Sequence, residues 1–289
     1  MCVTCGCGND QNTRLIEVGR PHSHGHSHSH SHDHDHDHDH DHDGHVFATG
    51  HEYLATVATT ETLVLEERVL AKNDALAEAN RRWLHSRHAM AVNLMSSPGS
   101  GKTTLLERTI RELGSTLTMS VIEGDQETTF DAERIRAAGA PVLQINTGAG
   151  CHLDAVMVET ALRTLDPARG IVLIENVGNL VCPALFDLGE DVRVVIVSVT
   201  EGADKPLKYP HIFVSATVVL LNKVDLLPYV DFDVQSFERD VVRLNANAPV
   251  LPVSATRGDG LAAWYTWLSR RAPGRGSDRP RFRDESTAT

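Results

Sequence analysis

The sequence predicts an α/β fold in which a mostly parallel sheet of about seven strands carries helices on both faces. Apolar runs rich in Val and Ile alternate along the chain with segments of helical pattern, as in sheets that are buried on both faces. A glycine-rich turn separates the first such run from a helical segment, and ligands in these folds bind beyond the carboxyl ends of the strands. The predicted strands are residues 89–95, 117–122, 141–146, 170–176, 192–199, 216–222 and 249–254, and the predicted helices between them include 132–138, 153–165, 234–245 and 261–270.

The composition fits one large domain with appendages. The 289 residues are 41% hydrophobic, enough for a core, and their net charge of −12 argues against a nucleic-acid partner. Six aspartates between residues 33 and 43 supply half of that charge excess. The chain has no apolar run of about 18 residues and a polar, Cys-rich start, so we expect a cytoplasmic protein without a membrane span. The expected organisation is a disordered tail (1–59), a helix (60–88), the α/β domain (89–272) and a second disordered tail (273–289).

Residues 60–88 have the pattern of a helix that packs on the domain after it. Apolar side chains recur at spacings of four and three, which places them on one face, and a single lysine interrupts the stripe. Use of this face to bind a partner is the alternative. The stripe comprises Leu65, Val69, Lys72, Leu76, Ala79 and Trp83.

The first 59 residues contain two groups of potential metal ligands. Cys2, Cys5 and Cys7 are close enough to converge on one Ni²⁺ or Zn²⁺ ion; an oxidation-prone tail without a metal is the alternative. Eleven histidines alternate with Ser, Gly or Asp in a segment without apolar residues, which is therefore predicted to be disordered. Many equivalent imidazoles suit the storage or capture of nickel, although Cu²⁺, Zn²⁺ and Co²⁺ also bind imidazole, and an affinity tag is the other interpretation. These histidines are His22, His24, His26, His28, His30, His32, His34, His36, His38, His40 and His42.

The turn after the first predicted strand has the pattern of a phosphate-binding loop. Its glycines allow backbone N–H groups to face an anion, and the helix that follows adds its dipole. Lys102 is expected to reach the β- and γ-phosphates, and the Thr103 hydroxyl to bind Mg²⁺. Ser96 stands where the usual pattern has Gly, and a chance glycine-rich turn is the alternative. The residues expected to hold the nucleotide here are Pro98, Gly99, Ser100, Gly101, Lys102, Thr103 and Thr104.

The run Asn222-Lys223-Val224-Asp225 indicates that the base is guanine. A carboxylate at Asp225 can accept hydrogen bonds from N1–H and N2–H₂ of guanine, a pair of donors that adenine lacks. Ser254 and Ala255 end the last predicted strand and are expected to support the ring through backbone N–H groups. The motif alone is common enough to be accidental, but its place behind a phosphate loop favours GTP over ATP.

Two acidic residues at strand ends suit a Mg²⁺ site. Asp125 follows the second predicted strand and is a candidate for Mg²⁺ or for positioning water, and Glu175 lies near the end of another strand. The N–H of Gly178, three residues later, is expected to sense the γ-phosphate. Most nucleotidases of this kind have Asp at the position of Glu175, and a buried structural carboxylate is the alternative for it.

The remaining two cysteines suggest an inner metal site. Cys151 and His152 follow one predicted strand, and Cys182 lies seven residues after Glu175. Because both segments leave the same edge of the sheet, two thiolates and one imidazole could bind Ni²⁺ or Zn²⁺. The alternative is that each cysteine is a small apolar filler of the core.

Taken together, these motifs resemble the HypB family, the GTPases that help load nickel into [NiFe]-hydrogenase, over essentially the whole chain. Residues 123–126, 175–183 and 201–210 also match the family. The resemblance implies that Ser96 and Glu175 are normal family variants.

The resemblance further implies a GTP-dependent homodimer that hydrolyses GTP, with a tight nickel site at the N-terminal thiols and a weaker Ni²⁺/Zn²⁺ site at Cys151, His152 and Cys182. Turnover is expected to be slow, because no arginine finger can be identified from the sequence. The implied partners are a zinc-containing hydrogenase maturation co-chaperone, in some organisms a nickel-binding prolyl isomerase, and the hydrogenase large subunit. Some relatives hold a second zinc with a further histidine, but residues 153–159 contain none.

Two other functions are compatible with parts of this pattern. The urease-type nickel-loading GTPases share the fold and the metal chemistry, but they generally lack the N-terminal thiols and carry a Cys-Pro-His motif that this chain does not have. A nickel or zinc buffer whose nucleotide domain only controls dimerisation is the non-enzymatic alternative.

Overall fold

The computed structural model describes residues 14–17, 60–126, 129–148 and 150–273, with side chains of the first helix described from Glu67 onward. The strands are β1 (Arg14–Glu17), β2 (Ala89–Ser96), β3 (Met119–Asp125), β4 (Val142–Asn146), β5 (Gly170–Glu175), β6 (Val192–Ser198), β7 (Val218–Asn222) and β8 (Val250–Pro252). The helices are α1 (Thr60–Ser86), α2 (Lys102–Leu113), α3 (Phe130–Ala138), α4 (Ala155–Leu165), α5 (Cys182–Leu185), α6 (Lys205–Lys208), α7 (Pro210–Val214), α8 (Val234–Leu244) and α9 (Leu261–Arg271), and a 3₁₀ helix spans Val224–Tyr229.

The described strands form one sheet in the order β1-β4-β3-β5-β2-β6-β7-β8. Strands β2 to β8 are parallel, whereas β1 pairs antiparallel with β4. The sequence-based prediction of a mostly parallel α/β sheet of about seven strands is therefore confirmed. All the parallel strands end at one edge of the sheet, where the site residues collect.

Strand β1 lies within the segment 1–59, which the sequence predicts to be disordered throughout. Its four residues instead continue the sheet at the free edge of β4. An edge strand presents unpaired backbone N–H and C=O groups, and a short nearby segment can pair with them without a core of its own. The expectation of disorder is therefore wrong for Arg14–Glu17, and the remaining residues of that segment lie outside the described ones.

Successive side chains of each strand point to opposite faces of the sheet. Met90, Val92 and Leu94 of β2 belong to a core shared with α2, α3 and α9. Ala89 and Ala91 point to the other face, into a core shared with α1 and α4, and α7 and α8 cover that same face further along. This period of two explains why strands buried on both sides are apolar at every position.

The buried face of α1 differs from the predicted apolar stripe. Val69 is 45% exposed, and the residues that are buried are Asn73, Ala77, Asn80 and Leu84. The prediction is wrong because two of the buried positions are amides, which carry no signal in a hydrophobic pattern. They are buried because they pair with backbone groups of the domain.

None of the helices in the described ranges has the length and apolar composition needed to cross a lipid bilayer.

Candidate functional site

The phosphate-binding loop connects β2 to α2 in a conformation that only glycine adopts easily. Gly99 and Gly101 have φ angles of +72° and +98°. A Cβ on Gly101 would lie 2.6 Å from Nδ2 of Asn222, so space as well as backbone conformation requires glycine there. Among the described side chains none caps α2, which leaves its first N–H groups facing the cleft above the loop.

The two functional side chains of α2 are held by specific partners. The Lys102 ammonium donates to Oγ of Ser96 over 2.9 Å. Ser96, at the position that usually carries Gly, therefore holds the lysine inside the loop. The Thr103 hydroxyl donates to Oε1 of Glu175 over 2.7 Å, which joins the phosphate loop to the end of β5. Both predicted residues line the cleft above the loop.

Three carboxyl groups face the same region from the ends of β3 and β5. Glu123 is 2% exposed and Glu175 is 4% exposed, and each has one buried carboxyl oxygen without a partner among the described residues. Burial, with the nearby charges of Glu175 and Asp125, raises the pKa of Glu123 to about 9. Burial also raises the pKa of Glu175 to about 7, although Lys102 and the Thr103 hydroxyl oppose the increase. Such a site favours protons or a cation.

Sequence reasoning assigned no role to Glu123. The signal was present, because Glu123 and Asp125 are two residues apart on a strand and so share a face. Asp125, assigned from sequence, lines the same cleft.

A cleft of about 500 Å³ runs over the phosphate loop and is lined from three sides. Its lining includes Gly99, residues 101–104, the end of β3 and residues 175–178, and it reaches Cys151. Gly178 fits closely against the loop, since a Cβ there would lie 3.0 Å from Cα of Pro98. The predicted phosphate and switch residues therefore belong to one cavity.

Arg134 of α3 also lines this cleft, although sequence reasoning identified no arginine near the phosphates. Its guanidinium donates to the Thr104 hydroxyl over 3.2 Å and to Oε2 of Glu107 over 3.0 Å. Burial raises the pKa of Glu175, and the charge of Arg134 is one of the contributions that oppose this rise. The available signal was its position on the helix that follows Asp125.

The predicted guanine motif lies beside the phosphate loop. Asn222 donates to the carbonyl oxygen of Ser100 over 2.8 Å and accepts from the Ala255 N–H over 3.0 Å. Lys223, with φ of +62°, donates to the carbonyl oxygen of Gly99 over 2.7 Å. Asn222 and Lys223 thus fix the relative positions of the loops, and Asp225 lies in the first turn of the 3₁₀ helix that follows.

The backbone N–H groups of Ser254 and Ala255, which the sequence predicts to support the base, donate to protein groups. The Ser254 N–H donates to the carbonyl oxygen of Asp259 over 2.9 Å, and the Ala255 N–H is held by Asn222. Both N–H groups thus have protein partners in this structure, and a contact of Ser254 and Ala255 with the base stays a prediction.

Cys151, His152 and Cys182 come together as predicted, and their potential ligand atoms all lie within 4.8 Å of one another. The two Sγ atoms are 3.2 Å apart, close to the roughly 3.7 Å expected between thiolates bound tetrahedrally at 2.3 Å from a zinc ion. His152 packs on the ring of Phe186 with centroids 4.1 Å apart. Burial lowers the pKa of His152, which favours the neutral imidazole that binds metals.

The other predicted metal ligands, Cys2, Cys5, Cys7 and the alternating histidines from 22 to 42, lie outside the described residues. Their roles stay predictions.

Residues 175–182 connect the cleft to the thiol site. After Glu175, Asn176 accepts a hydrogen bond from the Leu153 N–H over 3.3 Å. Asn179 donates to the carbonyl oxygen of Cys151 over 3.3 Å, and Cys182 itself follows. A displacement of this segment would therefore act directly on the ligands.

Comparison with known proteins places the chain among its relatives. Residues 90–252 match the CobW/HypB/UreG nucleotide-binding domain family. The hydrogenase maturation factor HypB of Escherichia coli K12 is 45% identical over 284 residues, which covers 93% of this chain and 98% of that protein. This chain belongs to the HypB family.

Solved HypB structures agree with this assignment. HypB from Archaeoglobus fulgidus is 42% identical with a TM-score of 0.65, over 69% of this chain and 98% of that one. HypB from Helicobacter pylori, crystallised in complex with nickel, is 36% identical with a TM-score of 0.66, over 72% of this chain and all of that one. The resemblance inferred from the sequence motifs is thereby confirmed.

Proposed function

We propose that this chain is a nickel metallochaperone that binds and hydrolyses GTP to control delivery of nickel to the large subunit of [NiFe]-hydrogenase. One observation carries the proposal: residues 175–182 line the phosphate cleft at one end and contribute a thiol to the Cys151/His152/Cys182 site at the other. Nucleotide state and metal affinity can be coupled only if some element responds to both ligands. This segment has the contacts that such an element needs.

GTP would bind with its phosphates over the loop and its base at the guanine motif. Lys102 and the N-terminal N–H groups of α2 would stabilise negative charge on the β- and γ-phosphates, and the Asp225 carboxylate would select guanine. Gly178 would contact the γ-phosphate. Because Glu175 and Asn176 belong to the same segment, a movement of Gly178 would also reach them. Slow turnover fits a switch whose hydrolysis marks one delivery event.

The carboxyl cluster fits Mg²⁺. Thr103, Asp125 and Glu175 supply hard oxygen atoms, and the raised pKa values of Glu123 and Glu175 indicate a site where negative charge lacks compensation. Bound Mg²⁺ supplies positive charge beside the β- and γ-phosphates. This chain's own part is to hold those oxygens in place and to keep Lys102 oriented through Ser96.

The inner site would bind Ni²⁺ or Zn²⁺ through two thiolates and a neutral imidazole. Three protein ligands leave a further coordination position for water or for a group from a second copy of the chain. When the γ-phosphate leaves, movement of Gly178 would pass through Asn176 and Asn179 to Cys151 and Cys182. Each tenfold change in nickel affinity corresponds to about 1.4 kcal/mol between the two nucleotide states.

The N-terminal tail would supply nickel to this site. The tight nickel site would be formed by Cys2, Cys5 and Cys7, and the eleven alternating histidines would store nickel. We further propose a GTP-dependent homodimer in the cytoplasm, with a zinc-containing co-chaperone, a nickel-binding prolyl isomerase where one is present, and the hydrogenase large subunit as partners. Cys151 and His152 are adjacent, whereas the urease-type GTPases carry a Cys-Pro-His motif. This difference favours hydrogenase maturation over urease maturation.

The test measures Ni²⁺ affinity in the two nucleotide states. The full chain carries Cys2, Cys5 and Cys7 replaced by Ser, so that thiolate-to-nickel charge-transfer absorption reports only Cys151 and Cys182. Nickel is titrated with GDP present and then with a non-hydrolysable GTP analogue.

We expect affinities that differ tenfold or more, with the band lost in Cys182→Ala and the difference reduced in Asn179→Ala. Equal affinities in the two states would leave GTP controlling only dimerisation or partner docking, with the protein acting as a metal buffer. If the chain with Cys2, Cys5 and Cys7 replaced by Ser shows no thiolate-to-nickel absorption band, the inner metal site itself is rejected.

A further inference from the structure

Two buried asparagines on α1 face the segments that carry the inner metal ligands. Asn73 is 6% exposed and Asn80 is 3% exposed. They are seven residues apart, two helical turns, and therefore share a face. Burying an amide is costly unless its polar atoms are paired, so this face is built to make particular hydrogen bonds.

Each asparagine bonds to both ligand-bearing segments. Asn73 accepts from the Ala155 N–H over 2.9 Å and donates to the carbonyl oxygen of Asp187 over 2.8 Å. Asn80 donates to the carbonyl oxygens of Ala155 over 2.9 Å and of Leu188 over 3.2 Å. Ala155 begins α4 three residues after His152, and Asp187 and Leu188 follow Cys182 by five and six residues.

Further contacts fix the distance between α1 and the second segment. Arg81 donates to both carboxyl oxygens of Asp187 over 2.8 Å. Gly189 approaches the helix so closely that a Cβ there would lie 2.5 Å from the carbonyl oxygen of Ala77. The helix and the loop after α5 therefore meet backbone to backbone, and a change in one is passed to the other.

We propose that Asn73 and Asn80 are positioning residues of the Cys151/His152/Cys182 site. They touch none of the ligand atoms, but they hold the segment after His152 and the segment after Cys182 at a fixed separation. That separation sets how well the thiols and the imidazole converge on one ion. The inference rests on the proposed metal function and adds α1 to the elements that determine nickel affinity.

The test uses the full chain with Cys2, Cys5 and Cys7 replaced by Ser, and Ni²⁺ alone as the probe. Asn73→Ala, Asn80→Ala and the double variant are titrated while thiolate-to-nickel absorption is followed. We expect nickel affinity to fall about 10- to 100-fold in the double variant, the range found for residues that orient metal ligands. Each single variant should show part of this loss, which keeps the test decisive if the double variant does not fold.

The matched control is Asn245→Ala. Asn245 donates to the carbonyl oxygens of Phe213, Val214 and Ala216. The control variant therefore loses a comparable set of side-chain amide hydrogen bonds, but beside α7. Urea denaturation of all variants gives the stability loss.

If the single variants at Asn73 and Asn80 bind nickel as tightly as Asn245→Ala of similar stability, α1 only stabilises the fold and the inference is wrong. A parent chain without the thiolate band would instead reject the proposed metal site, and that outcome is separable because it does not involve α1.

Discussion

The buried carboxyl groups predict how stability changes with pH before any ligand binds. In the folded chain the pKa of Glu123 is raised from 4.5 to about 9, mainly by burial. The unfolded chain therefore releases this proton near pH 4.5 while the folded chain keeps it. A raised folded-state pKa contributes stability that is complete below pH 4.5 and is lost as the pH rises toward 9.

The slope of this loss follows from the difference in bound protons. One proton held by the folded state alone changes the free energy of unfolding by about 1.4 kcal/mol for each pH unit. Glu175, whose pKa is raised from 4.5 to about 7, adds the same slope below pH 7 only. Between pH 7 and pH 9 Glu123 is the one member of this pair that still titrates in the folded state.

The assay is urea unfolding at several pH values in EDTA and without nucleotide. Relative to Glu123→Gln, the unmodified parent chain should lose about 1.4 kcal/mol of unfolding free energy for each pH unit between pH 7 and about pH 9, because the amide does not titrate. Glu175→Gln should remove the contribution of Glu175 to the slope of unfolding free energy against pH, and it should do so only below pH 7. Taking differences between variants cancels the contributions of other groups. Parallel curves for the parent and Glu123→Gln above pH 7 would refute the reasoning, and so would a steeper curve for the variant.

Two further predictions concern the phosphate cleft. Lys102→Ala should abolish GTP hydrolysis, measured as phosphate release, because the ammonium held by Ser96 would stabilise the transferred phosphate; normal turnover would reject the phosphate-loop assignment. Arg134→Ala should lower kcat about 10- to 100-fold, the effect of losing a hydrogen bond from a charged group. The exposed Arg136 on the same helix is the matched control, and equal rates in the two variants would limit Arg134 to bridging α2 and α3.

The sequence was sufficient for the parallel strands of the sheet and for the placement of the motif residues at one edge of it. Strand periodicity located the parallel strands, and the phosphate loop lies where the turn between strand and helix predicted it. The meeting of Cys151 with Cys182 followed from topology alone, since parallel strands end at one edge. These inferences succeed because each depends on local pattern and on one rule of strand direction.

The contacts that the sequence did not predict depend on where separate segments meet. The Ala255 N–H donates to Asn222, a bond visible only once β7 and β8 are adjacent. The face of α1 was misassigned for the same reason. Asn73 and Asn80 have no apolar signature, and their partners lie more than 70 residues away along the chain.

The buried amides also bear on how nucleotide and metal could communicate. Asn176 accepts from the Leu153 N–H and donates to Oδ1 of Asn93 over 3.3 Å. Asn93 in turn donates to Glu190 over 3.3 Å, and the other carboxyl oxygen of Glu190 accepts from the Leu188 N–H over 2.7 Å. The residue after Glu175 is thus joined through buried polar groups to the same loop that Asn80 holds. A switch that moved Asn176 would disturb both ligand-bearing segments together, so α1 provides the fixed reference against which such a movement could change the metal site.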